Sequence, residues 1–178
     1  MSKLKGLQLA DKKVSDNLTA SDWQDLARIY GENLAQMHTL TNDFSGKWTD
    51  DSDGIKPFSP SLSGWIVDNI QTLLAKSMAG NNHTTETDKL WVESILESGR
   101  EAMAIPFTPG FVMQDYQESN TLVDKVDGHW QVTGVFDFME SYFGDSEADL
   151  PRMFIKMYER DKNLAYIFLN AYLKQRPP

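Results

Sequence analysis

The run G-F-V-M-Q-D-Y-Q-E-S-N-T-L-V-D at residues 110–124 passes through an Asp127-Gly128 step into W-Q-V-T-G-V-F-D-F-M-E-S-Y-F-G-D-S-E-A-D-L at residues 130–150. Asp-Gly is a strong two-residue hairpin signal, because both central positions of the favoured turn require positive φ. Residues 121–126 and 129–136 flank it and are rich in β-branched and aromatic side chains, so they form its two strands. In a two-residue turn Val126 faces His129. Carried onward without a break, the ladder sets Asn120 opposite Val135 and Glu118 opposite Asp137. Side chains alternate along a strand, so Asn120 and Asp137 then point the same way as diagonal neighbours. A bulge or a longer turn would shift that register. Asp115 precedes the first strand by a short loop. Two carboxylates and an amide gathered in one place suit a hard metal ion and a phosphate. Read locally, Asp115 and Asn120 are equally good turn formers, and Asp137 a strand end.

Upstream the pattern is helical. Ser-Asp-Trp-Gln from Ser21 reads as a capping box, and Trp23, Leu26, Ala27, Tyr30, Leu34 and Met37 recur at helical spacing as a buried face. Residues 42–60 form a long polar loop with acids at Asp43, Asp50, Asp51 and Asp53. D-D-S-D-G lacks the later Glu of a calcium loop, so solvation explains it better. A second helix is expected over residues 61–78, with Trp65, Ile66, Ile70, Leu73 and Leu74 inward, stopped by Gly80-Asn81-Asn82. A third is expected over residues 85–103, with Leu90, Trp91, Ile95 and Leu96 on its core side. Downstream, helices are expected over residues 151–159 and 162–174, with Pro151 in a first turn. Met103, Met113, Met139, Met153 and Met157 read as core filler. Trp130 is expected to pack across the hairpin.

The chain has 178 residues, 40% of them hydrophobic, with five Trp and nine Phe, which is enough for one packed core. It contains no cysteine, which removes disulfides, thiolate metal sites and cysteine nucleophiles. Its net charge of −9 disfavours nucleic-acid binding and suits a cationic small molecule. No apolar run approaches membrane-spanning length, and the first sixteen residues lack the apolar stretch of a signal peptide, so a cytoplasmic location is expected. Of the three histidines, His38 is expected to pack or cap a helix end, while His83 and His129 are expected to be solvated. Neither a hydrolase triad nor a zinc site has support.

At residues 113–120 (M-Q-D-Y-Q-E-S-N) and 136–150 (F-D-F-M-E-S-Y-F-G-D-S-E-A-D-L) the chain resembles the aminoglycoside phosphotransferase and choline kinase-like family, which shares the protein-kinase fold. That family carries H-G-D-x-x-x-x-N, a hairpin, and then I-D-W-E-x-A-x-x-G-D-P-x-x-D-L. Asp137, Gly144, Asp145, Asp149 and Leu150 fall in the matching places, and residues 26–40 look like the family's helix ending in Leu-His or similar. The departures are Met113 for the His, Gln114 for the Gly, Met139 where Glu is frequent, and Ser146 for the Pro.

The resemblance implies an α+β fold: a protein-kinase-like large lobe, mostly helical, with a small β-hairpin sheet carrying the site. Residues 1–16 read as a loose lead-in and residues 17–178 as that C-terminal lobe, with the N-terminal lobe absent. It implies Asp115 as the catalytic base or orienter of the acceptor hydroxyl. Asn120 and Asp137 would hold Mg2+ against the phosphates of ATP or GTP. Asp145 and Glu147 would help shape the acceptor side, and Asp149 would cap or brace the next helix. The expected activity is phosphotransfer to a hydroxyl of a small molecule, incomplete in the isolated chain. The alternative is a non-catalytic binding module derived from the large lobe. A partner chain supplying the missing lobe, or self-association, is the expected company; nucleic acid and membrane are not.

Overall fold

The computed structural model describes residues 5–49, 54–80 and 83–176. In chain order the elements are helices α1 (Lys12–Ser15) and α2 (Ala20–Met37), strands β1 (Gly46–Trp48) and β2 (Ile55–Pro57), helices α3 (Leu62–Ala79) and α4 (Glu86–Ser98), strands β3 (Gly110–Val112), β4 (Thr121–Val126), β5 (His129–Val135) and β6 (Tyr142–Gly144), and helices α5 (Leu150–Arg160) and α6 (Lys162–Gln175). They fall into two compact units, residues 1–42 with 109–178, and residues 43–108. This is the expected mixture of helix with small antiparallel sheets. Among the described residues no helix is long and apolar enough to cross a membrane.

In the first unit, α2 and α6 pack along their apolar faces. Trp23, Leu26, Ala27, Tyr30 and Leu34 are buried on one, and Leu164, Ala165, Phe168 and Tyr172 on the other. Gly31 makes the approach possible, because a Cβ there would stand 2.2 Å from the Phe168 carbonyl oxygen. The helix begins earlier than expected. Thr19, not Ser21, is the N-cap, and the reciprocal partner is Asp22, whose carboxylate accepts the Thr19 N–H at 3.0 Å. Asp22 also accepts from Lys125 Nζ at 2.9 Å and Trp130 Nε1 at 2.8 Å, which ties the hairpin to the helix start. The Thr19 hydroxyl first, then Lys125 and the Trp130 indole, hold the Asp22 carboxyl well below the usual carboxylate range.

The hairpin turns at Asp127 (φ 52°) and Gly128 (φ 80°), as the Asp-Gly step predicts. Val126 pairs with His129 and the ladder runs in the expected register as far as Val123↔Val132. There it slips. Leu122 pairs with Gly134 and Thr121 with Val135, a bulge that leaves Thr133 unpaired. The expected facing of Asn120 with Val135 is therefore corrected by one residue.

Residues from the other end of the chain meet the hairpin beside this bulge. Residues 5–16, read from sequence as a loose lead-in, are packed: Leu7 exchanges backbone hydrogen bonds with Val123 at 2.7 and 2.9 Å, Leu9 is buried, and the Thr133 hydroxyl donates to the Lys5 carbonyl at 2.8 Å. Elsewhere in this unit β3 is buried throughout and pairs antiparallel with β6, Gly110↔Gly144 through Val112↔Tyr142. Met113, Met153 and Met157 are core residues, but Met139 is 81% exposed, contrary to expectation.

In the second unit the expected loop contains an antiparallel pair, Gly46↔Pro57 to Trp48↔Ile55. Asp50, Asp51 and Asp53 lie outside the described residues, as do Asn81 and Asn82; α3 ends at Ala79 with Gly80 as its cap. Helix α4 is capped by Thr85 and Asp88 and stops at Ser98, short of the expected 103. Two helices and a short ladder enclose little interior. Leu62 is the one buried apolar side chain among the unit's described residues, while Leu73, Leu90, Trp91 and Ile95, expected inward, are exposed.

Candidate active site

The site begins where β3 ends. Val112 and Met113 continue the buried strand, Gln114 turns the backbone into the left-handed region (φ 70°), and Asp115 emerges half-exposed. Tyr116 drops back into the core. Its hydroxyl donates to the Asn33 side-chain oxygen at 2.9 Å and lies 3.2 Å from the Tyr30 carbonyl, both on α2. Burial pushes the Tyr116 hydroxyl well above its ordinary pKa, so it remains a donor. A 3-10 turn (Glu118–Asn120) then delivers Asn120, buried, to the start of β4. The Tyr30 hydroxyl meets the Thr121 hydroxyl at 2.9 Å, and Thr121 Oγ1 lies 3.2 Å from the Gln117 carbonyl. Both ends of the loop are thus fastened to α2.

Within this frame Asp115 and Asn120 come together as expected. Asn120 donates from Nδ2 to Asp115 Oδ2 at 2.8 Å and to the Asp115 carbonyl at 3.0 Å. Asp115 Oδ1 accepts from Gln117 Nε2 at 2.7 Å and pairs with Arg152 Nη1 at 2.7 Å. Both carboxylate oxygens are therefore engaged by donors arriving from separate directions. Asp137 reaches the region by a different route from the one expected. It is no diagonal neighbour of Asn120 in the ladder. The Phe136 N–H donates to the Asn120 carbonyl at 3.1 Å, and the next residue, Asp137, is exposed with a left-handed backbone (φ 69°).

Asp149 has another task than the one assigned to it. It sits at the N-cap of α5 but makes no side-chain cap bond there. Buried, it accepts the backbone N–H of Met113 at 2.7 Å and of Gln114 at 2.6 Å, with His38 Nε2 at 3.3 Å. The other ring nitrogen of His38 meets the Tyr172 hydroxyl at 2.9 Å, so α2 and α6 jointly hold the clamp. His38 is buried, as expected. Of the two acceptor-side candidates, Asp145 caps the short turn that follows it by accepting the Glu147 N–H at 3.1 Å.

Glu118 is mostly buried, with Oε2 3.7 Å from Arg160 Nη2. Burial pushes its carboxyl above the usual range, and Arg160 and Lys156 oppose that shift. Arg160 also stacks on Trp23, its guanidinium carbon 3.5 Å from the ring centroid. Arg152 and Gln117 were not singled out from sequence. A signal for the first exists: Arg152, Lys156 and Arg160 recur at helical spacing, a basic stripe in an acidic chain.

Among the described residues no group of three His, Cys, Asp or Glu side chains could hold a metal. Asn120 and Asp137 carry the donor types, an amide oxygen and a carboxylate, that a magnesium ion arriving with a nucleotide takes. Asn120 turns its amide nitrogen toward Asp115 and its Oδ1 toward the Ser119 hydroxyl at 3.4 Å, and Asp137 offers an exposed carboxylate. Magnesium keeps several waters and takes few protein oxygens, the phosphates supplying the rest.

A family model described as "Phosphotransferase enzyme family" matches residues 1–178. Among solved structures, the crystal structure of aminoglycoside phosphotransferase APH(4)-Ia is similar at 16% identity and a TM-score of 0.61, over 98% of this chain and 54% of that one. A thermostable mutant of the same enzyme, in its apo form, is similar at 15% identity and a TM-score of 0.60, over 99% and 55%. At such identity the likeness shows the kinase-like fold. This chain spans about half the length of those structures. No curated protein matches it.

Proposed function

The chain belongs to the phosphotransferase enzyme family, and on that premise we propose that it serves transfer of the terminal phosphoryl group of ATP or GTP to a hydroxyl of a small molecule. The observation that carries this reading is the fixing of Asp115 by Asn120 at 2.8 Å, in a loop whose backbone is clamped by Asp149. A phosphoryl-transfer transition state is loose, so the protein's share is positioning and charge stabilisation. Asp115 accepts the hydrogen bond of the acceptor hydroxyl and aims its oxygen at the terminal phosphorus. As the new P–O bond forms, the bond to the nucleoside diphosphate breaks, and the hydroxyl proton passes to Asp115. Asn120 and Asp137 would hold magnesium, which when bound neutralises charge on the phosphate oxygens. The acidic balance of the chain suits a cationic acceptor.

A second reading has its own observation. Both oxygens of the Asp115 carboxylate are already engaged by Asn120, Gln117 and Arg152, which favours a binding module that does not complete transfer. One set of measurements separates the two. The chain is incubated with magnesium and terminally labelled ATP or GTP, against a panel of aminoglycosides and uncharged polyols, and label is followed into the acceptor. Transfer supports the kinase. No transfer, with a thermal shift on adding magnesium–nucleotide or an acceptor, supports the binding module. Neither transfer nor any shift defeats both.

A further inference from the structure

We propose that Arg152 is a positioning residue for this transfer: its guanidinium, delivered from the first turn of α5, sets the plane of the Asp115 carboxylate on which the acceptor hydroxyl docks. The inference rests on the phosphotransfer reading above. Arg152 Nη1 lies 2.7 Å from Asp115 Oδ1, and the contact is built from both sides. On the loop side, Asp149 grips the N–H groups of Met113 and Gln114, immediately before Asp115. The same Asp149 abuts α5, whose Pro151 presets the first turn and whose Met153 and Met157 are buried. Asp149, the residue before α5, thus ties the base-bearing loop to the start of the helix that carries the arginine. Rotation of α5 is blocked by its own core contacts, and Arg152 is left facing Asp115.

The chemistry agrees with the geometry. The Asp115 side chain is 33% and the Arg152 side chain 52% exposed, and an ion pair that open contributes little to folding. Arg152 is the cation that touches Asp115; farther along α5, Lys156 and Arg160 face Glu118 instead. Gln117 and Asn120 alone would hold the carboxylate by neutral donors from its own loop. Arg152 adds a charged donor from an independent element, which fixes the carboxylate relative to the body of the unit.

The test has two arms. Crystal structures of the wild-type chain and Arg152→Ala are compared first, an arm that needs no turnover; a rotated Asp115 carboxylate is expected, and an unmoved one overturns the proposal. In the second arm, kcat for labelled transfer from magnesium–ATP is expected to fall at least about tenfold in Arg152→Ala with KM for the nucleotide unchanged. Arg152→Lys is expected to recover part of the loss, and millimolar guanidinium to restore turnover to Arg152→Ala but not to Arg152→Lys. An unchanged kcat, or a loss confined to nucleotide KM, overturns the proposal. Absence of transfer by the wild-type chain would refute the phosphotransfer reading by itself, and the crystallographic arm then decides what Arg152 does.

Discussion

Asp149 binds the backbone of Gln114: its Oδ1 accepts the Gln114 N–H at 2.6 Å while Oδ2 takes the neighbouring Met113 N–H. The clamp lets a non-glycine residue hold a left-handed backbone one position before Asp115. Replacing Asp149 with Asn keeps the shape and removes the charge and one acceptor oxygen. A buried amide N–H then loses its partner. Urea unfolding is expected to show Asp149→Asn less stable by about 2–3 kcal/mol, the scale of a charge-assisted bond lost in the core. A loss under 0.5 kcal/mol would mean that the clamp is dispensable.

Gln114 itself stores strain. A side chain at φ 70° costs about 1–2 kcal/mol relative to glycine, part of which is returned because glycine is freer in the unfolded chain. Gln114→Gly is expected to raise stability by about 0.5–1 kcal/mol, and Gln114→Val to lower it by more than about 1 kcal/mol. The denaturant midpoints of the two variants should move in opposite directions from the wild type.

Asp115→Asn keeps an oxygen beside the acceptor but cannot take the proton. Turnover is expected to fall about 10²- to 10⁴-fold. The melting temperature should stay within about 2 °C of the wild type, since the residue is half-exposed and outside the core. Full turnover in this variant would remove Asp115 from its assigned role.

Asp22 links stability to pH. Its carboxyl is held below the ordinary range in the folded chain by Thr19, Lys125 and Trp130. A depressed folded value means that the contribution is complete above the unfolded pKa of about 4 and is lost as pH falls further toward the folded value. Asp22→Asn should therefore be destabilised by about 1–2 kcal/mol at pH 7, the scale of a lost cap. The gap from wild type should narrow steadily below about pH 4. A gap that stays constant down to pH 2 would place the stabilisation elsewhere.

Much of the architecture was legible along the chain. Asp127-Gly128 predicted the turn, the β-branched runs predicted β4 and β5 to within a residue, and helical periodicity predicted the buried face of α2. The pairing of Asp115 with Asn120 was legible too, because a five-residue step across a 3-10 turn is local geometry. Periodicity misled at α4, where Leu90, Trp91 and Ile95 share a face that is exposed. An apolar stripe records what a helix can bury, and not what its own unit provides to cover it.

What sequence alone determined is therefore the set of short-range elements, since φ preferences, caps and alternation act over a few residues. Tertiary structure decided the rest. Residues 5–7 meet the hairpin beside the bulge at Thr133, Asp149 holds the Met113–Gln114 backbone from the residue before α5, and Arg152 of α5 meets Asp115. Each of these contacts joins segments far apart in the chain, and only the packing of buried faces brings them within hydrogen-bonding distance.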